Sequence, residues 1–501
     1  MGMRFALPVA ALLLMGAAPT PKLDPDTAAW WATTAQLSND SMEGRDTGSP
    51  AFERAARLVA SKFAAAGLKP AGEHGGWFQR VPMHEVAVTR ATIRVGDRPL
   101  AFLHDLTVAP TAAMPTTVDA PLAYGGYCAP SALAAVGGRI VICHGTHRPG
   151  LPSAAQREAA VRAAGALGMM TIADPGFSVE PPRWPYAYAR TVTLAGAKAP
   201  ADRFVKFTLN AASLGKLLDG TGRSAAMLVA AGSAGRPLPS FAIPNRLRVE
   251  FATRERDIAS PNVLALMPGS DPKLADQAIV LSAHLDGYGY GEPVKGDRLY
   301  NGTLDDAAYV ALLIRLAERR HGHPYRRPIL FAAWTGEEKG LLGSRWFVAH
   351  PTVPLSRIAA DINLDQLRPI FPLKLLTVHA LDDTSLGDDS RTVAASLGIA
   401  VQKDPEPERN LLQRSDQWPF LQAGVPATAF VFGYRPGSRS EQIYRQWYRT
   451  GYHKPQDDLK QPMDWKAAAD FNRFFYALVA RVADQPAAPS WKPGSALRPG
   501  R

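Results

Sequence analysis

Six side chains carry the chemistry open to this sequence: His284 and His453, Asp305 and Asp365, and the adjacent pair Glu337 and Glu338. Four of them lie in LSAHLDG (281–287), NGTLDDAA (301–308) and ILFAAWTGEE (329–338); Asp365 closes RIAADINLD (357–365), and His453 lies in WYRTGYHKPQDD (447–458). Each group falls where an apolar run ends. Unpaired charges are costly inside a hydrophobic strand, whereas the strand ends of an α/β sheet face the cleft where ligands bind. Imidazole and carboxylate are ligand types that suit zinc. Two ions about 3.5–4 Å apart need one bridging ligand and a base for a shared water, and six groups divide as five ligands and one base.

Each group has a blander reading. Adjacent carboxylates repel unless a cation lies between them, yet Glu337 and Glu338 could begin a solvated helix. Asp305 could be a helix cap. Asp286, two residues after His284, could lock the imidazole tautomer through the other ring nitrogen or through the local backbone. Tyr452 could donate to a developing oxyanion or be a packed aromatic. The convergence of six groups on strand–loop junctions of one region favours the metal reading.

These junctions need an α/β scaffold. QAIVLSAH (277–284), RPILFAAW (327–334) and AADINLD (359–365) read as strands, with DDAAYVALLIRLAERR (305–320) and residues 463–484 as helices. Strands alternating with helices predict a three-layer α/β/α sandwich with a mostly parallel sheet. Two earlier helices, DTAAWWATTAQL and SPAFERAARLVASKFAAAGL, precede it, the second started by Ser49-Pro50 and stopped by Gly67. Between them, SNDSMEGRDTGSP (38–50) is a loop or part of the cleft lining. Residues 81–250 differ in texture, with short β-type runs that include RIVICHG and AAMLVAA (225–231), punctuated by Gly and Pro. The expected organisation is a signal peptide over 1–18, an N-terminal helical part over 24–80, a β-rich insert over 81–250, the catalytic domain over 251–485 and a loose Pro-rich tail over 486–501.

With 501 residues, two or three domains are expected. A hydrophobic share of 46% with 20% charged residues excludes a disordered chain. The net charge of +11 is scattered over several short clusters, which argues against a nucleic-acid surface. Met1–Ala18 combines a basic start, an apolar run and a small-residue exit, as secretory signals do. Its apolar run is too short to span a bilayer, so an exported periplasmic or extracellular protein without stable membrane insertion is expected. In that setting Cys128 and Cys143 could form a disulfide.

Taken together, SAHLDG, GTLDDAA, TGEEKGLLGS, INLD and YHKPQDD resemble the motifs of the two-zinc exopeptidase family. That family contains secreted and vacuolar aminopeptidases, glutamate carboxypeptidase and the transferrin receptor ectodomain. The resemblance covers nearly all of the chain after the signal, and the 81–250 region resembles a protease-associated domain. It implies one zinc ion on His284, Asp305 and Asp365, a second on Asp305, Glu338 and His453, Glu337 as general base, and Asp286 supporting His284. Two departures stand out: Ala308-Tyr309 where the family commonly has Ser-Gly, and Gln417 where it commonly has His.

The expected reaction is aminopeptidase hydrolysis of peptide substrates, Glu337 taking a proton from the attacking water and passing it to the leaving amine. A carboxypeptidase or dipeptidase using the same ions stays open, with Arg414, Arg435 or Arg449 for a terminal carboxylate. So do a non-catalytic binding protein and a one-zinc acyl transferase such as a glutaminyl cyclase. Side-chain preference and oligomeric state are not legible.

Overall fold

A computed structural model describes residues 23–146, 148–175, 185–197, 203–365 and 367–500; the expected signal peptide lies outside them. The sheet that carries the site runs, in spatial order, Ala427–Thr428, Ile358–Asn363, Ala278–His284, Ile329–Trp334 and the last part of Phe241–Met267. The first three pairings are parallel and the fourth antiparallel. Successive side chains of a strand point to opposite faces, and both faces are covered here. Ile279, Leu281, Phe331 and Ala333 pack among the helices Pro25–Ser38, Pro50–Ala65, Ala308–Arg319 and Trp465–Asp484. Val280, Leu330 and Trp334 pack against Phe347 and Phe420 from helices Leu342–Ala349 and Gln417–Gln422. Burial on both faces explains why ILFAAW is apolar throughout instead of alternating, and the result is a three-layer sandwich.

A second core gathers residues from Val88 to Phe251. Here Thr117–Tyr124, Ile140–His144, Gly168–Ile172 and Val205–Leu209 lie parallel in that order. The two cores are joined by long antiparallel strands, Phe78–Val95 and Phe241–Met267, which pass from one to the other. Positions 81 and 250 fall inside these strands. Cys128 and Cys143 are bonded, with Cα atoms 5.5 Å apart.

Two expectations need correction. AAMLVAA is helix, not strand: Ala225–Ser233 is capped by Ser224, whose hydroxyl accepts from Met227 N, and Met227 is exposed. The run is mostly alanine, the strongest helix former, and its single β-branched residue does not outweigh a side-chain cap. The tail is also not loose. Trp491 Nε1 donates to the Gly424 carbonyl at 2.7 Å, Ser495 Oγ to Asp383 at 2.7 Å, and Arg327 Nη2 to the Pro486 carbonyl at 3.1 Å. No helix among the described residues is long and apolar enough to cross a membrane.

The SNDSMEGRDTGSP stretch, read as loop or cleft lining, forms a short turn over Asp40–Arg45. Arg45 is fully buried and donates to the carbonyls of Leu37, Leu285, Asn301 and Gly302 at 2.8–2.9 Å. One guanidinium thereby satisfies carbonyls of the two loops that leave the sheet at His284 and approach Asp305. Unpaired, each such carbonyl would cost about 1–3 kcal/mol.

Candidate metal centre

The parallel register brings the site to one edge. His284 ends its strand opposite Trp334, and Ser282 lies opposite Asn363. Glu337 follows Trp334 by three residues and Asp365 follows Asn363 by two, so all leave at the carboxyl ends, where an α/β sheet binds its ligands. Two glycines make the turns. Gly336 has φ +66° and sets the Glu pair off the strand; Gly302 has φ +60°, where an added Cβ would lie 2.5 Å from the Asp305 carbonyl oxygen. His453 comes from the other side, just after helix Arg439–Thr450.

All six sequence candidates meet. Asp305 lies between the two imidazoles, with Oδ1 3.2 Å from His284 Nε2 and Oδ2 3.0 Å from His453 Nε2. Asp365 Oδ1 and Glu337 Oε2 are each 3.9 Å from His284 Nε2, and Glu338 Oε1 is 3.3 Å from His453 Nε2. Ligand atoms of His284, Asp305 and Asp365 lie within 4.8 Å of one another, as do those of Asp305, Glu338 and His453, and those of His284, Glu337 and Glu338. The first two triads share Asp305.

The chemistry of this set fits divalent cations. Asp305 Oδ2 and Glu338 Oε1 are buried and accept no hydrogen bond among the described residues. Burial pushes Glu337, Glu338 and Asp306 well above the usual carboxylate range, and nearby carboxylates add to it. Asp305 is held well below that range: burial opposes its ionisation, but Arg368 and the two imidazoles prevail. His284 is raised well above the ordinary imidazole value by Glu337 and Asp305 against the effect of burial. Protons therefore supply positive charge that metal ions would supply instead. Ligands must shed those protons to bind, so the sign is fixed. Zinc binding is expected to release protons near neutral pH and to tighten as pH rises. Calorimetric titrations in buffers of different ionisation enthalpy measure this, and proton uptake on binding would contradict it.

The neighbours of the six were only partly legible. The His284 Nδ1 partner is the Asp286 carbonyl at 3.1 Å; the Asp286 carboxylate is 3.8 Å away. Of the two routes open for Asp286, the backbone one holds. Its carboxylate accepts instead from the amides of Glu337 and Glu338 at 3.1 and 3.3 Å and from Thr47 Oγ1 at 2.9 Å. A carbonyl only accepts, so Nδ1 of His284 carries the hydrogen and Nε2 faces the triads. Tyr452 is buried, stacks on His453 with ring centroids 3.6 Å apart, and lines a cavity with Asp305, Glu337 and Glu338.

Four residues were missed. Tyr288 donates its hydroxyl to Glu338 Oε2 and pairs with His453 Nδ1 at 2.8 Å, which leaves Nε2 of His453 toward Asp305. Arg368 is buried 3.3 Å from Asp305 Oδ2. Asp457 accepts from the amides of Leu304 and Asp305 at 2.9 and 3.0 Å. Ser415 Oγ donates to Asp365 at 2.5 Å. Their positions in HLDGY, DQLRP, HKPQDD and RSDQ, beside recognised candidates, were the available signal. Residues that orient ligands typically matter 10–100-fold for metal affinity. Tyr288→Phe is therefore expected to weaken zinc binding by about 10–100-fold while the fold persists, read by competition with a chelating dye. Unchanged affinity would remove Tyr288 from the site.

The two departures serve structure. The Ala308 carbonyl accepts from Trp30 Nε1 at 2.6 Å, and Tyr309 packs edge-on to Phe471. Gln417 accepts from Asn363 Nδ2 at 2.9 Å and donates to the Leu412 carbonyl. Four of the six candidates, Asp305, Glu337, Glu338 and His453, border a cavity of about 290 Å³ that Tyr188, Tyr288 and Arg414 also line. A larger cavity, about 540 Å³, opens beside Asp46, Glu85 and Arg190 but contains none of the metal triads, so the smaller one holds the chemistry.

The profile of Peptidase family M28 matches residues 262–479. Among curated proteins, Leupeptin-inactivating enzyme 1 of Streptomyces exfoliatus is 25% identical over 235 residues, 46% of this chain and 50% of that protein. Aminopeptidase YwaD of Bacillus subtilis (strain 168) is 26% identical over 207 residues, 40% of each. The chain thus spans half or less of the length of these two relatives. Among solved structures, the aminopeptidase from Aneurinibacillus sp. strain AM-1 superposes with a TM-score of 0.60 at 18% identity, covering 93% of this chain and 96% of that one. BSAP, a zinc aminopeptidase from Bacillus subtilis, gives 0.61 at 18%, covering 93% and 98%. At these identities the superpositions show the fold.

Proposed function

We propose that this chain, a member of Peptidase family M28 through its residues 262–479, is a zinc-dependent aminopeptidase that removes N-terminal residues from peptides. The observation that carries the reading is Asp305, with one carboxylate oxygen toward each of two imidazoles. His284, Asp305 and Asp365 would hold one ion, and Asp305, Glu338 and His453 a second. Two such ions supply Lewis acidity and ease deprotonation of a water at neutral pH.

The remaining work belongs to side chains of this chain. Glu337, beside the shared Asp305, takes the proton of the attacking water and returns it to the leaving amine. Its backbone amide is held by Asp286, which sets the carboxylate against the His284 side of the site. Tyr452 is the candidate donor toward the carbonyl oxygen. The concentration of carboxylates suits a substrate ammonium, which favours cleavage at an N-terminus. Export is part of the proposal, supported by the Met1–Ala18 sequence and the paired cysteines. So is the assignment of the second core as a protease-associated domain, supported by its separate packing.

The test uses protein loaded with zinc and freed of excess. Two zinc ions per chain are expected, together with turnover of an aminoacyl arylamide that 1,10-phenanthroline abolishes. The N-acetylated arylamide should resist. One ion per chain, or turnover indifferent to the chelator, would overturn the proposal.

A further inference from the structure

We infer that the wall of the metal cavity binds a substrate carboxylate within one residue of the scissile bond, so that short, anionic peptides are the preferred class. This rests on the peptidase reading above and narrows it. The cavity that contains Asp305, Glu337, Glu338 and His453 is also lined by Arg345 and Arg414, both exposed. Arg435 and Arg449, the other arginines considered for a terminal carboxylate, are not among its lining residues.

The two arginines hang from segments that are tied together. Arg345 lies in the first turn of helix Leu342–Ala349, next to Ser344; Arg414 precedes Ser415 and Asp416. Ser344 Oγ donates to the buried Asp416 carboxylate, and Ser415 Oγ donates to Asp365. The residues beside each arginine therefore pin both segments to one another and to a candidate metal ligand. Arg345 donates Nε to the Gly340 carbonyl at 3.0 Å and forms no ion pair among the described residues. A guanidinium so placed presents its remaining N–H groups in the fork that matches a carboxylate.

Size points the same way. At about 290 Å³ the cavity is at the small end for ligand sites, roughly 300–1,000 Å³. Tyr188, from the turn Tyr186–Ala189, closes on it with its hydroxyl 3.3 Å from that of Tyr288. One residue extends about 3.3–3.6 Å, so a carboxylate one residue past the cleaved carbonyl stays inside. A longer peptide would offer a neutral amide there. The carboxylate can come from a free C-terminus or from an acidic side chain, and the experiment separates the two.

Zinc-loaded Glu337→Gln protein is titrated by calorimetry with Leu-Ala, Leu-Ala amide and Leu-Glu amide. The same three are assayed for kcat/KM on the wild type. Leu-Ala is expected to bind about tenfold or more tightly than Leu-Ala amide, the scale of one charge-assisted hydrogen bond. Adding Arg345→Gln and Arg414→Gln should erase that ratio without lowering Tm, since both positions are exposed. Recovery of affinity by Leu-Glu amide would show that an acidic side chain serves as well as a C-terminus; its failure to recover would restrict the site to a C-terminal carboxylate. Equal binding of all three peptides, or a ratio that survives both substitutions, overturns the inference. Because binding is measured in a variant with its base removed, the outcomes separate. Hydrolysis without discrimination sinks the carboxylate site alone, and discrimination without hydrolysis sinks the peptidase reading alone.

Discussion

Glu337→Gln is expected to lower kcat by about 10²–10⁴-fold, the usual contribution of a positioned general base, while the protein still takes up its full complement of zinc. The geometry separates the two adjacent glutamates. Glu338 has Oε1 3.3 Å from His453 Nε2 and is tied to Tyr288, whereas Glu337 stands 3.9 Å from His284 Nε2. Both backbone amides are held by the one Asp286 carboxylate, so an amide side chain at 337 leaves the turn unchanged. Burial raises the Glu337 carboxyl, and Asp365 and Glu338 reinforce it against His284. A raised carboxylate accepts a proton more readily near neutral pH. Activity should therefore climb with pH as Glu337 ionises, and that limb of the kcat profile should be absent in the variant's residual rate. Glu338→Gln should behave differently, losing zinc first. The pair is read by elemental analysis beside arylamide kinetics. A Glu337→Gln enzyme with near wild-type kcat would end the assignment of the base.

The contrast between the two glutamates also shows what a linear chain can and cannot reveal. Glu337, Glu338, His284 and Asp365 were legible because a charge directly after an apolar run has few physical explanations, and parallel strands in register bring such ends to one edge. The packing of the central strands on both faces was legible from ILFAAW for the same reason. Tyr288, Arg368 and Asp457 follow no such rule. Each acts through a hydrogen bond or ion pair to a residue distant in sequence, and tyrosine, arginine and aspartate at loop positions are more often surface groups. Arg45 was hidden for a stronger reason. Its four acceptors are backbone carbonyls in three separate stretches, and backbone groups leave no trace in residue identity. The helix Ala225–Ser233 was misread because hydrophobicity was weighed above the Ser224 cap. The tail was misread because proline content says nothing of Trp491, whose indole finds Gly424.

Asp305→Asn is expected to abolish binding of both ions and to bring turnover below detection. No other side chain among the six lies within 3.2 Å of both imidazoles, so neither triad survives its loss. An amide keeps the volume but removes the charge and offers one oxygen in place of two. Asp305 is also the carboxylate that stays ionised most readily here, held down by Arg368 and the two imidazoles against burial. Removing that charge leaves the buried Arg368 guanidinium without its 3.3 Å partner. Breaking a buried pair by removing one member costs about 3–5 kcal/mol. Glu338 offsets part of this, because without the neighbouring Asp305 charge it ionises more easily. The metal-free variant should consequently melt below the metal-free wild type, and added zinc should stabilise the wild type only. Ligand-linked stabilisation grows as RT ln(1 + [L]/Kd), so a flat Tm against zinc concentration is the signature. An Asp305→Asn protein that holds two zinc ions, or whose Tm rises with zinc as the wild type's does, would show that the two triads are not joined through this residue.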